Sequence, residues 1–219
     1  LLPVLPEVLA RIKNLFDLYC EPKAVYETLQ VMNTLQPGLC VLGTRLPGCF
    51  NVFEMSVRAV LGQQITVKAA STLAARLVAV YGTQVQTGIE GLTHSFPAPA
   101  AILALGENIS EHLGKLGIIS ARANTIYQLA RVLADEKNDF GFCGNPEEEM
   151  QKLQAIRGIG SWTAQYIAMR AMGWPDAFLP TDAGIKKALP DHTPKELQVL
   201  SEAWRPWRSY ATVNLWNTL

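Results

Sequence analysis

Along most of this chain of 219 residues, apolar positions recur every three or four places, the spacing that lines one face of an α-helix. The spacing predicts a helix over 5–18 and another over 21–33, the second opening after Glu21-Pro22. The period stops between 37 and 50, in PGLCVLGTRLPGCF, a Pro/Gly-rich loop with room for a short extended piece. It returns strongly over 51–81 and breaks once, at GQQIT. There Gly62 weakens the helix and two glutamines interrupt the apolar stripe, so two helices joined at 62–66 are expected. The loop GTQVQTGIEGLTHSFPAP precedes helices near 98–104, 108–115 and 120–134. Residues 135–146 are polar with Gly and Pro, a linker. Pro146 then opens a helix to about Ile156, with Glu147, Glu148 and Glu149 set against the helix dipole. A further helix starts after Gly160, and a short one follows Asp182 in AGIKKAL. Helices at 194–203, headed by a Thr193–Glu196 capping box, and 206–218 close the chain. No strand alternates with these helices, so the predicted class is all-α.

Composition narrows the picture. The chain is 49% apolar and 17% charged, which excludes a disordered polymer, and its length suffices for one domain or two small lobes. No apolar run is long enough to cross a bilayer. The first twenty residues lack a basic segment ahead of their apolar part and make a poor signal peptide. A cytoplasmic protein without a membrane partner is expected. Lys plus Arg equals Asp plus Glu, 19 each. That balance argues against a broad basic surface for wrapping nucleic acid and leaves room for a local patch of backbone amides. Cys20, Cys40, Cys49 and Cys143 form no CxxC and pair with no histidine, so reduced thiols are expected rather than a zinc site. His94, His112 and His192 show no ligand spacing and are expected at the surface.

The stretch LQAIRGIGSWTAQYIAMR, 153–170, carries the first candidate chemistry. Arg157-Gly158-Ile159-Gly160 joins two helices in four residues. Its glycines permit positive φ and a close backbone approach. Free N–H groups at the start of the second helix suit a phosphate without any lysine. The same residues would equally make a plain helical hairpin with C-cap glycines. LQAIRGIGSWTAQYIAM resembles the helix–hairpin–helix of the DNA glycosylase superfamily. GWPDAFLPTDAGIKKAL resembles the Gly/Pro-rich loop and aspartate that follow it there. SVRAVLGQQITV, FLPTDAGIKKAL and WRPWRSYATVNLW resemble segments of one branch, the alkylated-base glycosylases of DNA-3-methyladenine glycosylase II type.

The resemblance implies a two-lobed, all-α fold with a central cleft. One lobe would comprise 1–50 plus 136–219 with the hairpin at 157–160, and the other 51–135. The upstream N-terminal domain of some relatives would be absent. It implies a monomeric, nucleoid-associated enzyme of bacterial type acting on double-stranded DNA with alkylated bases. The reaction would be hydrolysis of the N-glycosidic bond of purines such as 3-methyladenine or 7-methylguanine in base excision repair.

Residue by residue, Asp182 matches the family's catalytic aspartate, which stabilises an oxocarbenium-like sugar and orients water. Its local sequence also reads as a simple N-cap. Asp176 is the nearest rival and resembles no catalytic position. Trp162 stands where lyase-type relatives carry a Schiff-base lysine, so no lyase activity is expected. Trp162, Tyr166 and Trp216 resemble the ring-lined base pocket, where a cationic base gains roughly 0.5–2 kcal/mol per ring. Core filling is the alternative for each, and the one adopted for Trp204 and Trp207. Gln64, with Gln63 before it, aligns with a wedge residue that is commonly apolar in the branch; Ile65 is a substitute, and a mere helix break is the alternative. Gly158, Gly160, Ser161 and Thr163 would contact DNA phosphate. The resemblance further implies a monovalent cation on the carbonyls of Gln154, Ile156 and Ile159. It implies no iron–sulfur cluster, since no cysteine follows Asp182. Two rivals stand beside this reading: a non-catalytic helix–hairpin–helix DNA-binding module, which has no use for Asp182, and an enzyme for oxidised or mismatched bases, which Trp162 disfavours.

Overall fold

The computed structural model describes residues 2–134 and 145–219. A 3-10 turn at Leu2–Val4 leads into α1 (Leu5–Leu15), shorter than the apolar spacing suggests. Asp17 ends it. Its φ is 51, and its carboxylate accepts hydrogen bonds from the Leu46 N–H at 2.9 Å and the Tyr210 hydroxyl at 3.0 Å. The Arg45 guanidinium binds the carbonyls of Asp17 and Cys20, at 2.7 and 3.0 Å, and pins the chain out of helical register. α2 (Pro22–Leu29) tightens into a 3-10 turn at Gln30–Thr34, together covering the expected span. Residues 35–50 hold no helix or strand.

α3 (Val52–Leu61) and α4 (Val67–Tyr81) are capped by the side chains of Asn51 and Thr66 and break at Gly62, as their sequence suggests. The following loop contains an antiparallel pair, β1 (Thr83–Gln84) and β2 (His94–Ser95), with Thr83 opposite Ser95. Two residues per strand are too few to show alternation in the sequence. α5 (Pro99–Leu103), a 3-10 turn at Gly106–Asn108, α6 (Ile109–Gly114) and α7 (Ser120–Leu133) follow. Most of the linker at 135–146, with Cys143, lies outside the described residues. α8 (Pro146–Ala155), α9 (Ser161–Arg170) and α10 (Ala183–Ala188) come next. α11 (Pro194–Leu200) has the expected capping box, a 3-10 turn spans Ser201–Trp204, and α12 (Arg208–Trp216) closes the chain. Among the described residues no helix is long and apolar enough to cross a membrane.

The chain forms two units, Leu1–Phe50 with Ala164–Leu219, and Asn51–Thr163. In the second, α3, α5 and α6 pack on α7 around Val57, Val60, Ile102, Leu113, Ile126 and Leu129. In the first, α10 packs on α12, and Leu29, Met32, Ile185, Leu197, Trp204 and Leu215 are buried. Burying each such side chain contributes about 1.5–3 kcal/mol. The hairpin at 157–160, expected with the unit that holds 1–50, groups with the central helices instead. The reason is bonding: Thr125 of α7 and Gln63 of the α3–α4 turn hold its carbonyls. The histidines also depart from expectation. All three are half-buried, and His112 packs edge-on against Tyr81.

Candidate active site

Asp182 precedes α10 with extended backbone, and its side chain caps that helix. One carboxylate oxygen, Oδ1, accepts three hydrogen bonds: from the N–H of Gly184 at 2.9 Å, of Ile185 at 3.1 Å, and from the Trp216 indole Nε1 at 2.8 Å. The cap and the candidate catalyst are therefore the same group. Two donors come from its own helix and the third from α12, which fixes the carboxylate plane from two directions. At 9% exposure the group is nearly enclosed. The Trp216 ring lies 6.3 Å from the Tyr166 ring, tilted by 52°, and both rings are half-buried. Asp182, Tyr166 and Trp216 thus meet within the first unit. Trp162 is half-buried, belongs to the second unit, and stands four residues before Tyr166 on α9.

Gly184 is a site residue that the sequence reading missed. A Cβ there would lie 2.7 Å from Trp216 Cδ1, 2.9 Å from its Nε1 and 3.0 Å from Asp182 Oδ1. The indole reaches the carboxylate because this position has no side chain. The available signal was a glycine inside the six-residue helix AGIKKA, where it costs about 1 kcal/mol relative to alanine.

The loop before Asp182 is held by the start of α12. Arg208 grips Asp176 with Nε at 2.7 Å and a second nitrogen at 2.9 Å, and also binds its carbonyl at 2.9 Å. The Ser209 N–H donates to the Pro175 carbonyl and its hydroxyl accepts from the Ala177 N–H. Asp176 is thereby a buried ion-pair partner, which removes it as a rival catalyst. Trp204 is core, edge-on to Phe178 at 5.7 Å, and the half-buried Trp207 packs edge-on to Tyr210 at 5.6 Å.

In the second unit, Gly158 adopts φ 96, and a Cβ there would collide with the Thr125 hydroxyl, which donates to the Arg157 carbonyl at 2.9 Å. Gly160 differs: a Cβ there would meet nothing within 4 Å, so this side of the hairpin faces open space, and Ser161 beside it is exposed. The Gln63 amide nitrogen donates to the Gly158 carbonyl and to the Thr163 hydroxyl oxygen, both at 2.9 Å, and Arg122 donates to the Gln63 carbonyl. Thr163 is 3% exposed. The expectation that its side chain reaches a phosphate is corrected: it is buried and engaged by Gln63. Gln63 likewise has its amide turned to the hairpin rather than outward. Gln64 is exposed, with φ 55.

The carbonyls of Arg157 and Gly158 are taken by Thr125 and Gln63, and that of Ile156 accepts the Ile159 N–H at 3.0 Å. A carbonyl oxygen has a second lone pair, so the Ile156 bond is compatible with the ligand set Gln154, Ile156 and Ile159. Such a neutral, all-carbonyl set suits a monovalent cation. Among the described residues no cluster of His, Cys, Asp or Glu could hold a metal.

Comparison with known proteins gives this arrangement a context. Residues 57–208 match the model described as HhH-GPD superfamily base excision DNA repair protein. Residues 1–51 match the AlkA N-terminal domain model. DNA-3-methyladenine glycosylase 2 of Escherichia coli is 38% identical over 216 residues, 99% of this chain and 73% of the relative. A probable bifunctional transcriptional activator/DNA repair enzyme AlkA of Mycobacterium tuberculosis is 40% identical over 96% of this chain and 42% of its own length. The solved 3-methyladenine DNA-glycosylase of Archaeoglobus fulgidus superposes with a TM-score of 0.78 at 22% identity, covering 98% of this chain and 74% of that one.

Proposed function

We propose that this chain, which belongs to the HhH-GPD superfamily of base excision DNA repair proteins, is a monofunctional DNA glycosylase that releases alkylated purines from double-stranded DNA. The observation that carries the reading is the Asp182 carboxylate, anchored through one oxygen by three N–H donors beside the rings of Trp216 and Tyr166.

A purine alkylated at N3 or N7 is already cationic, so it departs neutral with the bonding electrons and needs no proton. The sugar left behind carries positive charge at C1′, which Asp182 stabilises. Water then bonds to C1′ and gives up one proton, so each turnover yields a neutral free base, an abasic sugar and one proton. The rings favour a cationic base over a neutral one through their electron-rich faces. Trp162 has no amine to form an imine with the sugar, which supports hydrolysis without strand cleavage. A cation on the Gln154, Ile156 and Ile159 carbonyls would place positive charge at the hairpin, next to the amides offered to a phosphate.

The test uses duplex DNA carrying 7-methylguanine or 3-methyladenine. Wild-type protein is expected to release the base and leave the strand intact until heated in alkali. Asp182→Asn keeps the capping oxygen and loses the charge. It should slow release by at least about 10²–10³-fold, the scale of one lost electrostatic stabiliser, while binding is retained. Wild-type turnover by that variant, or strand breakage without alkali, would contradict the proposal.

A further inference from the structure

We infer that Gln63 and Thr163 are positioning residues that lock the α3–α4 turn and the hairpin into one nucleic-acid-binding edge, neither side chain touching the nucleic acid itself. The inference rests on the DNA-binding part of the proposed function. Its basis is where the polar atoms point. A glutamine amide has two N–H donors, and both Gln63 contacts run inward: to the Gly158 carbonyl, 95 positions away in sequence, and to Thr163 at the first turn of α9. The Gln63 backbone is held as well, by Arg122 of α7. The next residue, Gln64, sits exposed with φ 55, a conformation that glutamine adopts seldom and keeps only where its surroundings hold it.

The same contacts dress the hairpin. Gln63 takes the Gly158 carbonyl and Thr125 takes that of Arg157, so the negative ends of these two peptides are satisfied internally. The N–H groups at the start of α9, beside the open face of Gly160, are the hairpin's offer to an anion. A phosphate docked there and a base pair met by Gln64 lie at a spacing that the Gln63–Thr163 bond sets.

Binding to an undamaged DNA duplex, measured across a salt series, tests this independently of base release. A wild-type protein that bound this duplex and released no base would count against the proposed reaction and leave this comparison intact. Gln63→Met and Thr163→Val preserve shape; the first removes both inward bonds of Gln63 and the second removes the one to Thr163. Each should weaken binding about tenfold, and the double variant no more than Gln63→Met alone, because the bond lost in Thr163→Val is already lost there. The slope of log Kd against log salt should stay as in wild type, because neither substitution removes a cationic group. Thr163→Ser, which keeps the acceptor, should bind as wild type. Losses that multiply to about a hundredfold would overturn the inference. So would a Thr163→Val variant that binds normally while Gln63→Met does not, since the Gln63–Thr163 bond would then position nothing.

Discussion

Gly184 shows how much a single missing side chain can decide. Helix propensity alone says that Gly184→Ala stabilises α10 by about 0.5–1 kcal/mol. The site says the opposite for function, because the new methyl group would fall 2.7 Å from the indole that holds Asp182. The expected outcome is a variant in which the displaced indole offsets the helix-propensity gain, so that it melts at or somewhat below wild type while its single-turnover base release is slower by tenfold or more. Release at the wild-type rate would mean that the indole bond does not orient the carboxylate. Asp182 stood out as a candidate because its segment resembles the Gly/Pro-rich loop and aspartate that follow the family's hairpin, while its own local pattern reads as a helix cap. Gly184 did not, because its partner Trp216 lies 32 residues further on and only the packing of α10 on α12 brings them together.

At the level of elements, the hairpin's two glycines serve different ends. Gly158 is fixed by the fold: its φ of 96 and the adjacent Thr125 leave no space for a side chain. Gly158→Ala should lower stability by about 2–4 kcal/mol, read as a drop in melting temperature. Gly160 faces outward, so Gly160→Ala should melt like wild type and bind duplex DNA more weakly. If the two variants behaved alike in both assays, this division would fail. Helical periodicity located nearly every helix and the break at Gly62. It overran α1, because Asp17 stops that helix through bonds to Leu46, Tyr210 and the Arg45-held carbonyls, none of them near in sequence. The partner of Gln63 was equally hidden, since a side chain aimed across 95 positions leaves no local pattern.

At the level of the molecule, Tyr210 ties the last helix to the first segment. Its hydroxyl donates to Asp17, and burial, reinforced by Cys20 and the Asp17 charge, pushes its pKa far above the ordinary tyrosine value. The unfolded chain ionises this phenol near pH 10. Above that pH the unfolded state has lost a proton that the native state keeps, so stability is complete below about pH 10 and declines as pH rises past it. In urea denaturation, Tyr210→Phe should be less stable than wild type at pH 8 and lose less on going to pH 11; an equal loss would exclude Tyr210 as the alkaline trigger. The Tyr210–Asp17 bond spans 193 positions because Asn51–Thr163 is inserted between the two halves of the other unit. Synthesis therefore delivers the hairpin before the carboxylate, and the indole that steadies the carboxylate later still. On the proposed reading, a chain cut short before Asp182 would therefore carry the hairpin sequence without the charge that the reaction needs, whatever else it did.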